Sequence, residues 1–69
     1  MANQFIATGS YDSVMRKLFN VDKSAAMASA EILDGYSKHA GNTNTYYIEN
    51  MSGKYYLHTL ESGKAKFEK

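Results

Sequence analysis

Apolar and polar positions alternate most clearly in the last third of the chain. Thr45 to Asn50 (Thr-Tyr-Tyr-Ile-Glu-Asn) and Lys54 to Leu60 (Lys-Tyr-Tyr-Leu-His-Thr-Leu) are rich in β-formers and flank Ser52-Gly53, a turn signal. Ser62-Gly63 is a second turn signal, and Lys64 to Glu68 again alternates polar and apolar. The pattern predicts a three-stranded meander. A two-residue loop at Ser52-Gly53 pairs Met51 with Lys54, Asn50 with Tyr55, Ile48 with Leu57 and Tyr46 with Thr59. A three-residue loop at Glu61-Ser62-Gly63 pairs Thr59 with Ala65 and Leu57 with Phe67. One face then carries Tyr46, Ile48, Tyr55, Leu57, Ala65 and Phe67, which marks it as the core face. The other carries Thr45, Tyr47, Glu49, Tyr56, His58, Leu60, Lys64 and Lys66, because successive strand residues point to opposite faces.

The middle of the chain changes period. Asp22 or Ser24 caps a helix that starts in an alanine-rich run, and Ala25, Ala28, Ile32 and Tyr36 follow helical spacing. Ser29 and Leu33 widen the stripe. Lys38 and His39 fall in the last turn, where cations suit the helix dipole, and Gly41 is the stop. Gly35 within this helix costs up to about 1 kcal/mol relative to alanine.

The first third admits two readings. In one, Gln4 to Ser10 is a strand, Tyr11-Asp12-Ser13 a turn, and Val14 to Val21 a second strand. In the other, Asp12 to Phe19 is a short helix capped by Ser10. The hairpin is favoured, because Leu-Phe-Asn-Val-Asp-Lys-Ser reads as a strand entering a helix cap. The expected fold is α+β: one domain over 1–69, a single antiparallel sheet in the order ββαβββ, with one helix on one face and the other face open.

Composition narrows the chemistry. The 69 residues include no cysteine, so neither a disulfide nor a thiolate metal site is available. Eight Lys+Arg against seven Asp+Glu give a net charge of +1, which excludes a strongly basic nucleic-acid tail and an acidic nucleic-acid mimic. No leader-like or membrane-spanning run is visible, so a cytoplasmic protein is expected. The histidines, His39 and His58, lack ligand spacing and read as a helix-end and a surface strand residue. Glu31 and Asp34 share a helix face and read as solvated surface. The five glycines are isolated, so there is no phosphate loop. No base lies near a hydroxyl nucleophile in sequence. A non-enzyme without cofactor or metal is expected.

Tyrosine is over-used, at six of nine aromatics. The open face is expected to carry Tyr47, Tyr56 and His58, flanked by Lys54, Lys64 and Lys66, with Arg16 joining from the second strand. Residues 54–69 hold four lysines against Glu61 and Glu68, a local +2. Rings interleaved with cations suit a protein surface or single-stranded nucleic acid. They equally suit an ordinary solvated strand.

Two stretches carry a resemblance: Phe19-Asn20-Val21-Asp22-Lys23-Ser24-Ala25-Ala26, and Tyr47-Ile48-Glu49-Asn50 through Gly53 to Tyr56-Leu57. With the element order, they resemble small phage anti-CRISPR inhibitors of type I-F surveillance complexes. The resemblance implies a five-stranded sheet with one helix, and non-catalytic binding to a host nucleoprotein complex that blocks DNA access. The expected function is therefore an inhibitor that occludes a host protein or nucleoprotein surface. The alternatives are a single-stranded nucleic-acid-binding protein using the same face, and a homodimer or larger module built by pairing of sheet edges or faces.

Overall fold

The structure, a computed structural model, describes residues 5–59 and 66–67. Its elements are β1 (Phe5–Gly9), α1 (Tyr11–Val21), α2 (Lys23–Met27), β2 (Glu31–Leu33), β3 (Tyr36–Ala40), β4 (Thr45–Met51) and β5 (Lys54–His58). The strands form one five-stranded antiparallel sheet in the order β1-β5-β4-β3-β2. Helix α1 packs on β1 and β5, and α2 on β3. The α+β class and the single antiparallel sheet match the sequence pattern. The element order does not, in two places.

The first departure is α1, which stands where a second strand was favoured. Val14 and Leu18 lie four residues apart and are both fully buried. A strand that buried them would also bury Arg16 and Asn20, which share their parity. A helix turns Arg16 outward, where it pairs with Asp12 at 3.0 Å. The expected turn at Tyr11-Asp12-Ser13 is instead the first turn of α1. Ser10 caps it, its hydroxyl accepting from the Ser13 amide at 3.1 Å. Asp22 closes α1 with its own amide, donating to the Leu18 carbonyl at 2.7 Å, and opens α2 by accepting from the Ala25 amide.

The second departure is the middle helix, which stops at Met27 rather than near Gly41. Asp34-Gly35 forms a two-residue loop between β2 and β3, pairing Leu33 with Tyr36, and Gly35 takes the positive φ of +83° that this loop requires. Beyond it, Tyr36-Ser37-Lys38-His39-Ala40 alternates in burial: Ser37 and His39 are buried toward the helices. As a strand, this segment pairs with β4 from Tyr36↔Glu49 to Ala40↔Thr45. A helix here would have left the β4 edge without a partner.

The β4–β5 hairpin has the expected register: Met51↔Lys54, Asn50↔Tyr55 and Ile48↔Leu57. Ser52 and Gly53 have φ of 53° and 80°, the two positive values of a type I′ turn. Strand β5 ends at His58, so the Tyr46–Thr59 pair is not formed as a ladder pair. Tyr46, Ile48 and Leu57 face the helices and form the core with Val14, Leu18 and Ala25; Tyr55, Ile6, Ala7, Met15 and Ala26 pack around them. The expected last strand, Lys64 to Glu68, lies largely outside the described residues. Within it, Lys66 and Phe67 have helical rather than extended backbone.

Candidate binding surfaces

Two surfaces merit description, one on each face of the sheet. The face away from the helices is set by register. Tyr47 pairs with His58, and Glu49 lies between Tyr56 and Tyr36. Directly paired residues share a face, so Tyr36, Tyr47, Glu49, Tyr56 and His58 all project away from the helices. This confirms the expected sidedness of Tyr47, Tyr56 and His58.

The face is not bare. The Phe67 ring stacks on Tyr36 at 4.3 Å between centroids and 26° between planes, and on Tyr47 at 5.2 Å and 22°. It meets His58 edge-on at 5.5 Å. Phe67 was expected on the core face with Ile48 and Leu57. It lies on the opposite face, because residues 66–67 do not continue the meander. Beneath it Tyr47 is 1% exposed and His58 7%, so His58 is a buried residue rather than a surface one. One Glu49 carboxylate oxygen lies 3.0 Å from His58 Nε2 and 2.8 Å from Lys66 Nζ.

The expected cations scatter. Lys54 is exposed at the turn end of β5, opposite Met51, and by strand parity shares the outer face with Tyr56 and His58 as expected. Lys66 is exposed but paired with Glu49. Arg16 does not join them: it sits on α1, across the sheet, paired with Asp12. Lys64 lies outside the described residues. Tyr56 is half-buried on the outer face. The geometry thus gives an aromatic platform around Glu49, on a face where register also places Lys38, Glu31 and Lys54.

The helix face carries the second surface. The helices leave the β2 end uncovered, and Ile32 stays 75% exposed. A groove of about 350 Å³ opens there, lined by Tyr11, Ile32, Ser37, Ile48, Asn50 and Tyr55 among others. Tyr11 and Tyr55 hold one side as an edge-to-face pair at 5.3 Å.

Beside the groove, Ser37 Oγ lies 3.0 Å from His39 Nε2. His39, expected at a helix end, is a strand residue only 2% exposed, and burial holds its pKa below the usual histidine value. The spacing is that of a nucleophile and base, but Nδ1 of this ring has no hydrogen-bond partner among the described residues to orient it. The pair reads as core polar packing.

A third polar group ties the layers together. Asp22 accepts from Ser24 Oγ at 2.7 Å, from the Ala25 amide and from the Tyr46 hydroxyl. The Ser24 hydrogen bond is the main cause of its lowered pKa. Burial, then the Asp22 charge, raises that of Tyr46.

Sequence reasoning missed Tyr36 and Ile32 as surface-forming residues, because both were placed on a helix stripe. The signal that could have found them is Asp34-Gly35, a turn pair between two β-capable runs. Among the described residues no group of three or more histidine or acidic side chains is placed to hold a metal. No helix among them is long and apolar enough to cross a membrane. Comparison with known protein families, with curated proteins and with solved structures finds no match.

Proposed function

We propose that this chain is a small non-enzymatic binding protein that occludes a host protein or nucleoprotein surface in the cytoplasm of the host cell. The observation that carries the reading is the uncovered β2 end of the helix face. There an exposed isoleucine, two tyrosines and the flank of the core border a groove that nothing in the described chain fills. Exposed apolar surface beside tyrosines is the composition of a protein-binding patch. The five-stranded antiparallel sheet keeps part of the resemblance to anti-CRISPR inhibitors, which suggests the partner class, a CRISPR-type surveillance complex, while helix α1 in place of the second strand departs from that layout. Base stacking on the outer face is the less favoured reading, since a base reaches Tyr47 only by displacing Phe67.

The test is a gel-shift assay of target DNA on a purified type I-F surveillance complex. Wild-type protein is expected to block DNA binding. Ile32→Glu, which places a charge in the groove at an exposed position, is expected to weaken the block at least tenfold while leaving circular dichroism unchanged. No block by the wild type removes this partner class. A block undiminished by Ile32→Glu moves the contact away from the groove.

A further inference from the structure

We infer that the outer face of the sheet is a receptor for a basic–aromatic side-chain pair from a partner protein, and that this chain's own Lys66–Phe67 occupies it in the free state. The site lies on the opposite face of the sheet from the groove and shares only Tyr36 with it among the described residues. Its walls come from three adjacent strands: Tyr36 from β3, Tyr47 and Glu49 from β4, and His58 from β5. Ladder pairing sets their spacing, Tyr36 against Glu49 and Tyr47 against His58. The walls also contact one another without help from Phe67. Tyr36 and Tyr47 rings lie 5.9 Å apart, and His58 Nε2 lies 3.0 Å from Glu49. The platform is therefore built into the sheet.

Its occupant is held differently. Among the described residues, Lys66 and Phe67 meet the sheet through side chains: one ring on three rings, and one ammonium on one carboxylate. Backbone geometry does not specify such contacts, so another chain can reproduce them. The chemistry selects the ligand. Two tyrosines nearly parallel to the Phe67 plane, with an imidazole at its edge, accept a flat apolar ring. Glu49, only 14% exposed, has a carboxylate oxygen 3.0 Å from His58 Nε2 and accepts a cation beside that ring, as it does from Lys66 at 2.8 Å. A lysine or arginine next to an aromatic residue satisfies both. Occupancy by the same chain sets a local concentration that an incoming segment must beat, on the order of millimolar for a short connection. Lys66–Phe67 is thus an internal competitor, displaced only by a partner that brings further contacts.

The test titrates acetyl-Gly-Lys-Phe-Gly-amide into isotope-labelled full-length protein, followed by nuclear magnetic resonance. The Lys66→Ala/Phe67→Ala variant is expected to show saturable shifts of the Tyr36, Tyr47 and His58 ring resonances, with affinity at least tenfold above wild type. Acetyl-Gly-Glu-Phe-Gly-amide is expected to bind at least fivefold more weakly. If the double variant does not fold, Phe67→Leu, which keeps an apolar cover but loses the stack, must still bind more tightly than wild type. Absence of saturable shifts in a folded variant, or equal affinity in wild type and variant, overturns the proposal. So does a response of these resonances to oligothymidylate but not to the peptide. A wild-type mass that doubles with concentration, and does so only while Phe67 is present, also overturns it by making a second copy the occupant.

Discussion

The stack of Phe67 on Tyr36 is measurable as a coupling energy. A fully covered aromatic side chain buries about 150–250 Å². Phe67 is half-buried, so at about 25 cal/mol per Å² its removal as Phe67→Ala costs about 2–3 kcal/mol. A domain of 69 residues has roughly 3.5–10 kcal/mol of total stability, so the loss is a large fraction of it. At about 4–8 °C per kcal/mol for a domain of this size, the midpoint falls by roughly 8–24 °C. That drop alone does not say which face Phe67 covers. A double-mutant cycle with Tyr36→Ala does. At 4.3 Å and 26°, the pair should couple by about 0.5–1.5 kcal/mol. A second cycle with Leu57→Ala, a residue buried on the helix face, should show no coupling beyond about 0.3–0.5 kcal/mol. Urea unfolding of the single and double variants, followed by far-ultraviolet circular dichroism, gives both energies. Additive losses for Phe67 and Tyr36, with coupling to Leu57 instead, would return Phe67 to the core and refute the placement.

Other expectations follow from the same contacts. Because burial lowers the His39 pKa from its usual 6.5, the unfolded chain takes up that proton first as pH falls. The associated stability is fully present above about pH 6.5 and is lost below it, by up to about 1.4 kcal/mol per pH unit. His39→Gln should flatten this part of the urea-stability profile, and superimposable wild-type and variant profiles would contradict it. Ser10→Ala removes the acceptor for the Ser13 amide and should cost about 0.5–2 kcal/mol; a neutral effect in thermal unfolding would argue against a capped α1. Ile32→Glu, at a 75% exposed position, should change stability by no more than about 0.5 kcal/mol, whereas Leu57→Ala should cost about 2–5 kcal/mol. Equal losses would mean that Ile32 is covered. Gly41→Ala would bring a methyl carbon to 2.7 Å from Asp22 Oδ2, and should lower the melting temperature by displacing the carboxylate that caps α2.

Legibility in the sequence tracked how local the determining signal was. The turn and register of the β4–β5 hairpin were readable, because Ser52-Gly53 fixes a two-residue turn and the flanking alternation permits one useful register, although β5 ends at His58, before the expected Tyr46–Thr59 pair. That register also gave the sidedness of Tyr46, Ile48 and Leu57 against Tyr47, Tyr56 and His58. The α1 segment was ambiguous, because Val14 and Leu18 satisfy both periods. Only the parity of Arg16 and Asn20 separates them. The middle helix was over-extended, because Ile32 and Tyr36 coincide with the helical stripe that Ala25 and Ala28 begin. Tertiary pairing with β4 overrode this local period. Phe67 was misplaced by carrying strand parity through a loop whose geometry the sequence does not set. The platform of Tyr36, Tyr47, His58 and Phe67 was consequently half visible: two members by parity, two only once the strands were ordered.

The strand order also has a temporal consequence. Phe5 pairs with His58 across 53 positions of chain, whereas β2 with β3, and β4 with β5, close through two-residue loops. Each doubling of a closed loop costs about 0.6 kcal/mol of entropy, so β1 enters the sheet at a handicap of about 3 kcal/mol relative to the hairpins. The meander is therefore the seed and β1 the last strand to zip. During synthesis, β1 emerges before its partner and waits with its amides bonded to water until β5 has appeared. Through that interval the open side of β5 is the adhesive edge of the nascent protein, and the rate at which β1 arrives sets how long it stays so.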